Sequence, residues 1–148
     1  MKWVDVKKEC SIDDQSKVFF INSESKDALI DQLFKMGFKV YLLDGEKIDS
    51  EVSFFSEFAA TLGFPDYFGK NWDAFYDCMG DFDADGASAV AIVWDKSTST
   101  ISKNLYTFVR CLSALVELPN DYRGDPDPEG INQFEVFFIG DGDQFLDL

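Results

Sequence analysis

Apolar residues follow two rhythms along this chain. Four short, nearly unbroken runs, Lys17–Ile21 (KVFFI), Lys39–Leu43 (KVYLL), Ala89–Trp94 (AVAIVW) and Phe134–Ile139 (FEVFFI), predict strands buried on both faces. Between the runs, apolar residues recur at three- and four-residue spacing, which predicts amphipathic helices. Ser25 opens one, with Leu29, Ile30, Leu33 and Phe34 as its stripe and Gly37 as its stop. Ser50 caps a second, Glu51–Leu62, with Phe54, Phe55, Phe58 and Leu62 on one face and Gly63 beyond its end. A third starts after Asn71. A fourth, from about Thr100 to Glu117, carries Ile101, Leu105, Phe108, Val109, Leu112 and Val116 on one side. Leu118–Gln133 holds three Pro and two Gly among polar residues and reads as a loop. The order β-α-β-α-α-β-α-β predicts an α/β fold: one domain with a parallel sheet of about four strands flanked by helices.

The third helix differs from the others in what it shows to water. Counted from Asn71, Trp72, Phe75 and Met79 share one face, with Cys78 beside it, and belong to a core. Asp73, Tyr76, Asp77 and Gly80 share the other, so two carboxylates flank a large phenol. A charged outer face is the default of any surface helix. Here, though, the charge is concentrated: six Asp and a single basic residue, Lys70, lie between Asp66 and Asp85.

Charge changes the picture further. The net charge of −15 repels nucleic acid and anionic lipid and attracts basic proteins, so neither a nucleic-acid partner nor a membrane is expected. The chain has no histidine, which removes Ser-His-Asp and Cys-His catalysis and most zinc sites. Asp73 and Asp77 one turn apart are the best acid–base pair, but no nucleophile or oxyanion donor set accompanies them, so no enzyme, cofactor or metal site is expected. Asp81–Gly86 (DFDADG) opens like a calcium loop, yet Ile92 stands where the bidentate Glu belongs and a strand follows. The cysteines, Cys10, Cys78 and Cys111, form no CxxC pair and suit a reducing compartment, with Cys78 and Cys111 read as buried. With no apolar leader at Met1–Cys10 and no run of 18 apolar residues, the expected location is the cytoplasm. Oligomeric state is open, with a monomer as the default.

The stretch Phe64–Gly80, FPDYFGKNWDAFYDCMG, resembles the defining motif of the barstar family of ribonuclease inhibitors. Pro65, Asp66, Tyr67, Phe68, Gly69, Asn71, Asp73, Ala74, Tyr76, Asp77 and Cys78 match it in register. Tyr41–Lys47 (YLLDGEK) is similar to the family's first strand and turn, and the likeness runs on loosely to Gly140. It implies a barstar-like core at 38–140, extended by a βα unit at 1–37 that adds an edge strand, a loop insertion at 118–133 and an acidic tail at 141–148, all in one domain of 1–148. It also implies a function: an intracellular immunity protein that plugs the active site of a basic ribonuclease or related nuclease toxin. The implied contact surface is Tyr67, Gly69, Asn71, Asp73, Ala74, Tyr76, Asp77 and Gly80. Asp77 would take the place of a substrate phosphate and Asp73 would be the second anchor. Tyr76 stands where the family has Trp, Gly80 where it has Thr, and Lys70 where it has an acid. Glu117 is the one candidate for the family's Glu on the later helix. Two other readings remain: a non-inhibitory acidic binding or regulatory module on the same fold, and a calcium-dependent protein.

Overall fold

A computed structural model describes residues 3–12, 18–65, 67–122 and 130–148. Lys17 of the first predicted strand, Asp66 of the barstar-like motif and residues 123–129 of the predicted loop fall outside the described residues. In chain order the elements are α1 (Val6–Glu9), β1 (Phe19–Asn22), α2 (Lys26–Lys35), β2 (Lys39–Asp44), α3 (Glu51–Leu62), α4 (Trp72–Gly80), β3 (Ala89–Asp95), α5 (Ser97–Lys103), α6 (Leu105–Leu115), α7 (Leu118–Asp121) and β4 (Gln133–Gly140). The four strands form one parallel sheet in the order β1-β4-β3-β2. The two middle strands, β3 and β4, are buried along their whole length, as a parallel sheet covered on both faces requires.

Alternate residues of the middle strands serve two cores. Val90, Ile92 and Trp94 of β3, with Phe134, Val136 and Phe138 of β4, face the helices α3, α4 and α6. Ala91, Val93, Phe137 and Ile139 face α1 and α2 through Val6, Leu29 and Leu33. On the larger side Phe54 is the hub. Its ring lies 5.6 Å from Trp94 of the sheet, 5.5 Å from Phe58, and 5.8 and 6.0 Å from Trp72 and Phe75 of α4. Phe55 lies 4.7 Å from Trp72 and Phe58 4.9 Å from Phe75, and such aromatic pairs add about 0.5–1.5 kcal/mol each beyond the area they bury, so α4 is seated on the sheet through three phenylalanines of α3.

Both ends of the sheet's outer strands are controlled. β1 lies at an edge beside β4, and its outer side is covered by the tail: Leu146 bridges Ile21, Asn22 N donates to Leu146 O at 2.7 Å, and Leu146 N donates to Phe20 O at 2.8 Å. Phe145 is buried against Phe20, with ring centroids 5.5 Å apart. At the other edge β2 ends in a tight turn at Gly45. A Cβ there would stand 2.3 Å from the Lys96 carbonyl oxygen, so only glycine fits. The same turn is bound to α5 by Thr100 Oγ1, which donates to Gly45 O at 2.9 Å. No helix among the described residues is long and apolar enough to cross a membrane.

Five expectations need correction. Burial along the whole strand holds for β3 and β4 only: β1 alternates buried with half-buried residues, and in β2 Leu42 is 41% exposed, because both lie at an edge of the sheet. The helix predicted over 100–117 is two helices, α5 and α6, broken at Asn104, whose side chain accepts from Thr107 N and so caps α6. The break resets the helical phase: Thr107, Phe108, Cys111, Ala114 and Leu115 are buried, whereas Leu105 and Val109 are exposed. In α2 the buried residues are Leu29 and Leu33, while Phe34 is 63% exposed, because the short helix touches the sheet along a narrow line. Cys78 is only half-buried, although Cys111 is fully enclosed. The stretch read as a loop begins with the one-turn helix α7, with Pro119 in its first turn.

Candidate functional site

The loop that enters α4 is held by alternation. Phe64 and Phe68 turn inward, their rings 5.3 Å apart, with Phe64 5.6 Å from Phe58 and Phe68 6.0 Å from Phe55. Tyr67 between them points out and is 86% exposed. Phe68 N donates to Pro65 O at 2.9 Å, closing the turn. Lys70 then takes a positive φ of 37°, a strained position that reverses the chain just before the helix.

Asn71 joins loop and helix. Its Oδ1 accepts from Ala74 N at 2.9 Å and caps α4, while its Nδ2 donates to the Gly69 carbonyl at 2.7 Å. One side chain therefore fixes both the first turn of α4 and the backbone of Gly69. Below it, Phe75 and Met79 are buried and Trp72 is half-buried against the core. The inward stripe thus cannot rotate without opening the aromatic cluster. Consequently Asp73, Tyr76, Asp77 and Gly80 are presented to solvent in a fixed direction, with Ala74 half-buried at their margin. All eight residues singled out in the sequence fall on this one loop-and-helix surface, and all but Ala74 are exposed.

The electrostatics of α4 are lopsided. Asp73 in the first turn sits at the positive end of the helix dipole, where a carboxylate is favoured. Asp77 and the C-cap Asp81 sit toward the negative end, and the last turn has no basic residue. Two residues that sequence reasoning missed frame the N-terminal end. Trp72 Nε1 donates to Glu51 Oε1 at 3.2 Å, and the Arg110 guanidinium carbon lies 4.0 Å from the Trp72 ring centroid. Arg110, not Glu117, is the α6 side chain that reaches α4; Glu117 lies exposed just before α7. Nothing in the spacing of residues 51, 72 and 110 announces that cluster.

The Asp81–Gly86 segment does not close into a cation loop. It makes a single 3₁₀ turn at Ala84–Gly86, Asp83 Oδ1 accepts from Asp85 N, and Asp85 pairs with Lys39 at 2.5 Å. Among the described residues no group of three His, Cys, Asp or Glu is placed to hold a metal ion.

Residues 38–132 match the family described as Barstar (barnase inhibitor). The chain belongs to the barstar family. The match takes in β2 through α7 and leaves β1, α2, β4 and the tail outside it. No curated protein matches the chain. Among solved structures, that of the Aeropyrum pernix ORC2 protein in ADPNP and ADP complexes is similar to this barstar-family chain with a TM-score of 0.55 and 14% identity. The similarity covers 91% of this chain and 38% of that one, and at such identity it is a likeness of fold alone.

Proposed function

We propose that this barstar-family protein inhibits a basic nuclease, a ribonuclease in the first instance, by laying α4 and the loop before it across the enzyme's active site. The observation that carries the reading is the fixed outward stripe of Asp73, Tyr76 and Asp77 on a helix whose opposite face is locked into an aromatic core. A nuclease must gather cations to hold a phosphodiester. A rigid carboxylate surface competes for those cations with little conformational entropy to lose. In this reading Asp77 replaces the phosphate, Asp73 is the second anchor, Tyr67 and Tyr76 pack beside them, and the protein performs no chemistry of its own. The role is that of an intracellular immunity protein or antitoxin, and the net charge of −15 speeds its encounter with a cationic partner.

The test is a titration of barnase activity with the protein and with its Asp77→Ala variant. Stoichiometric inhibition is expected for the wild type. Truncating a charge buried at an interface costs about 2–5 kcal/mol, so the variant should bind about thirtyfold to several thousandfold more weakly. If losses are instead small and spread over many Asp and Glu, the protein is a diffuse acidic binding module and not an inhibitor of this kind.

A further inference from the structure

A cleft of about 240 Å³ opens beside the C-terminal end of α4, with Tyr41, Tyr67, Phe82, Asp81, Asp83 and Asp85 in its lining. We propose, resting on the inhibitory reading above, that this cleft receives one arginine side chain of the nuclease partner. It is continuous with the acidic face, because Tyr67 belongs to both and Asp81 caps the helix that carries Asp77.

Three observations specify a cation. First, the negative end of the α4 dipole meets the first of these carboxylates, Asp81, with no basic residue in the last turn, an arrangement that repels anions and is relieved by a positive charge. Second, the walls already hold a cation at the rim. Lys39 Nζ lies 5.4 Å from the Tyr41 ring centroid and pairs with Asp85 at 2.5 Å, and that pairing raises the lysine pKa. Asp81 and Asp83, exposed in the same lining, pair with no Lys or Arg among the described residues. Third, several rings and carboxylates line the cleft together, and a planar, weakly hydrated guanidinium can stack on a ring while its edge donates to more than one carboxylate, whereas an ammonium meets them as a point charge. Tyr67, 86% exposed, adds a second ring face from the side of the loop before α4.

The experiment has two arms. In the first, N-acetyl-arginine amide is titrated into the protein and the ring signals of Tyr41, Tyr67 and Phe82 are followed by NMR. Saturable shifts are expected, several-fold weaker with N-acetyl-lysine amide, retained in Asp77→Ala and lost in the Asp81→Asn, Asp83→Asn double variant. The double variant keeps the shape of the turn, because an Asn at 83 still accepts from Asp85 N. Shifts that do not saturate, or that persist in the double variant, overturn the proposal. In the second arm the double variant is titrated against barnase, where at least a tenfold loss of affinity is expected. Undiminished inhibition by the double variant would remove the cleft from the interface and leave the inhibitory reading standing. Arginine binding in the first arm with no inhibition by the wild type would do the reverse, keeping the arginine site and removing that nuclease as the partner.

Discussion

Arg110 lies over the indole of Trp72, with its guanidinium carbon 4.0 Å from the ring centroid and Nε 3.9 Å from Glu51 Oε1. Glu51 also accepts from the Trp72 indole N–H, so one carboxylate serves α3, α4 and α6 together. The contact places a positive charge at the margin of an acidic face. Arg110→Ala should therefore have two opposite effects. Stability should fall by about 1 kcal/mol, the usual worth of a partly exposed cation–π contact, as read by urea unfolding. Association with a basic nuclease should become faster at low salt, and the gain should shrink as ionic strength rises. Slower association in stopped-flow would mean that Arg110 touches the partner directly.

Asn71 invites a finer dissection. Asn71→Ala removes both the helix cap and the bond to Gly69, and should cost about 1 kcal/mol of stability. Asn71→Asp keeps an acceptor for Ala74 N but loses the donor to Gly69 O. Its unfolding midpoint should stay near that of the wild type while its inhibitory affinity drops. A loss of stability equal to that of the alanine variant would show that the loop bond, not the cap, holds α4.

Two glycines should respond in opposite directions to the same change. Gly45→Ala drives a methyl into the backbone of Asp95 and Lys96 and should destabilise by about 3 kcal/mol. Gly80→Ala meets nothing within 4 Å and replaces a glycine inside α4. It should raise stability by up to about 1 kcal/mol. Paired urea melts decide both.

Burial pushes the Cys111 thiol up to about 12 from an ordinary value of 9.0, with Glu51 adding to the shift and Arg110 opposing it. The folded state therefore keeps a proton that the unfolded chain gives up. This contribution is fully present below about pH 9 and is lost as pH rises toward 12, at about 1.4 kcal/mol per pH unit within that window. Unfolding free energies at pH 8, 9 and 10 should show the decline, and Cys111→Ala should flatten it. Under native conditions a thiol reagent should label the half-buried Cys78 well before Cys111.

The strands, the paired stripes of α4 and the caps at Ser50 and Asn71 were legible because each is written in local spacing, whereas Ser25 opens α2 without a side-chain capping bond. Ser50 is followed by Ser53, and the structure returns a reciprocal capping box between them. The break at Asn104 is hidden in the sequence because Ile101, Leu105, Phe108 and Leu112 continue the helical rhythm straight through it. Asn104 itself was the signal, a good cap residue in mid-stripe. The tail reads as acidic because Asp141, Asp143 and Asp147 dominate it. Its apolar pair, Phe145 and Leu146, decides where it goes. The Glu51–Trp72–Arg110 contact and the cleft at the end of α4 join residues far apart in the sequence, and no periodicity encodes such meetings.

The clasp on β1 has a consequence for how the molecule is made. Phe19–Asn22 is flanked on one side by residues 137–140 and on the other by Leu146. A strand formed early in synthesis thus waits for more than a hundred residues before either neighbour exists. The β2–β3 ladder, by contrast, closes over a much shorter separation. Contacts of such long range slow folding and prolong exposure of unpaired strand edges. During translation the acidic helix can take its place on β2 and β3 first, while the N-terminal strand stays the last part of the protein to find its home.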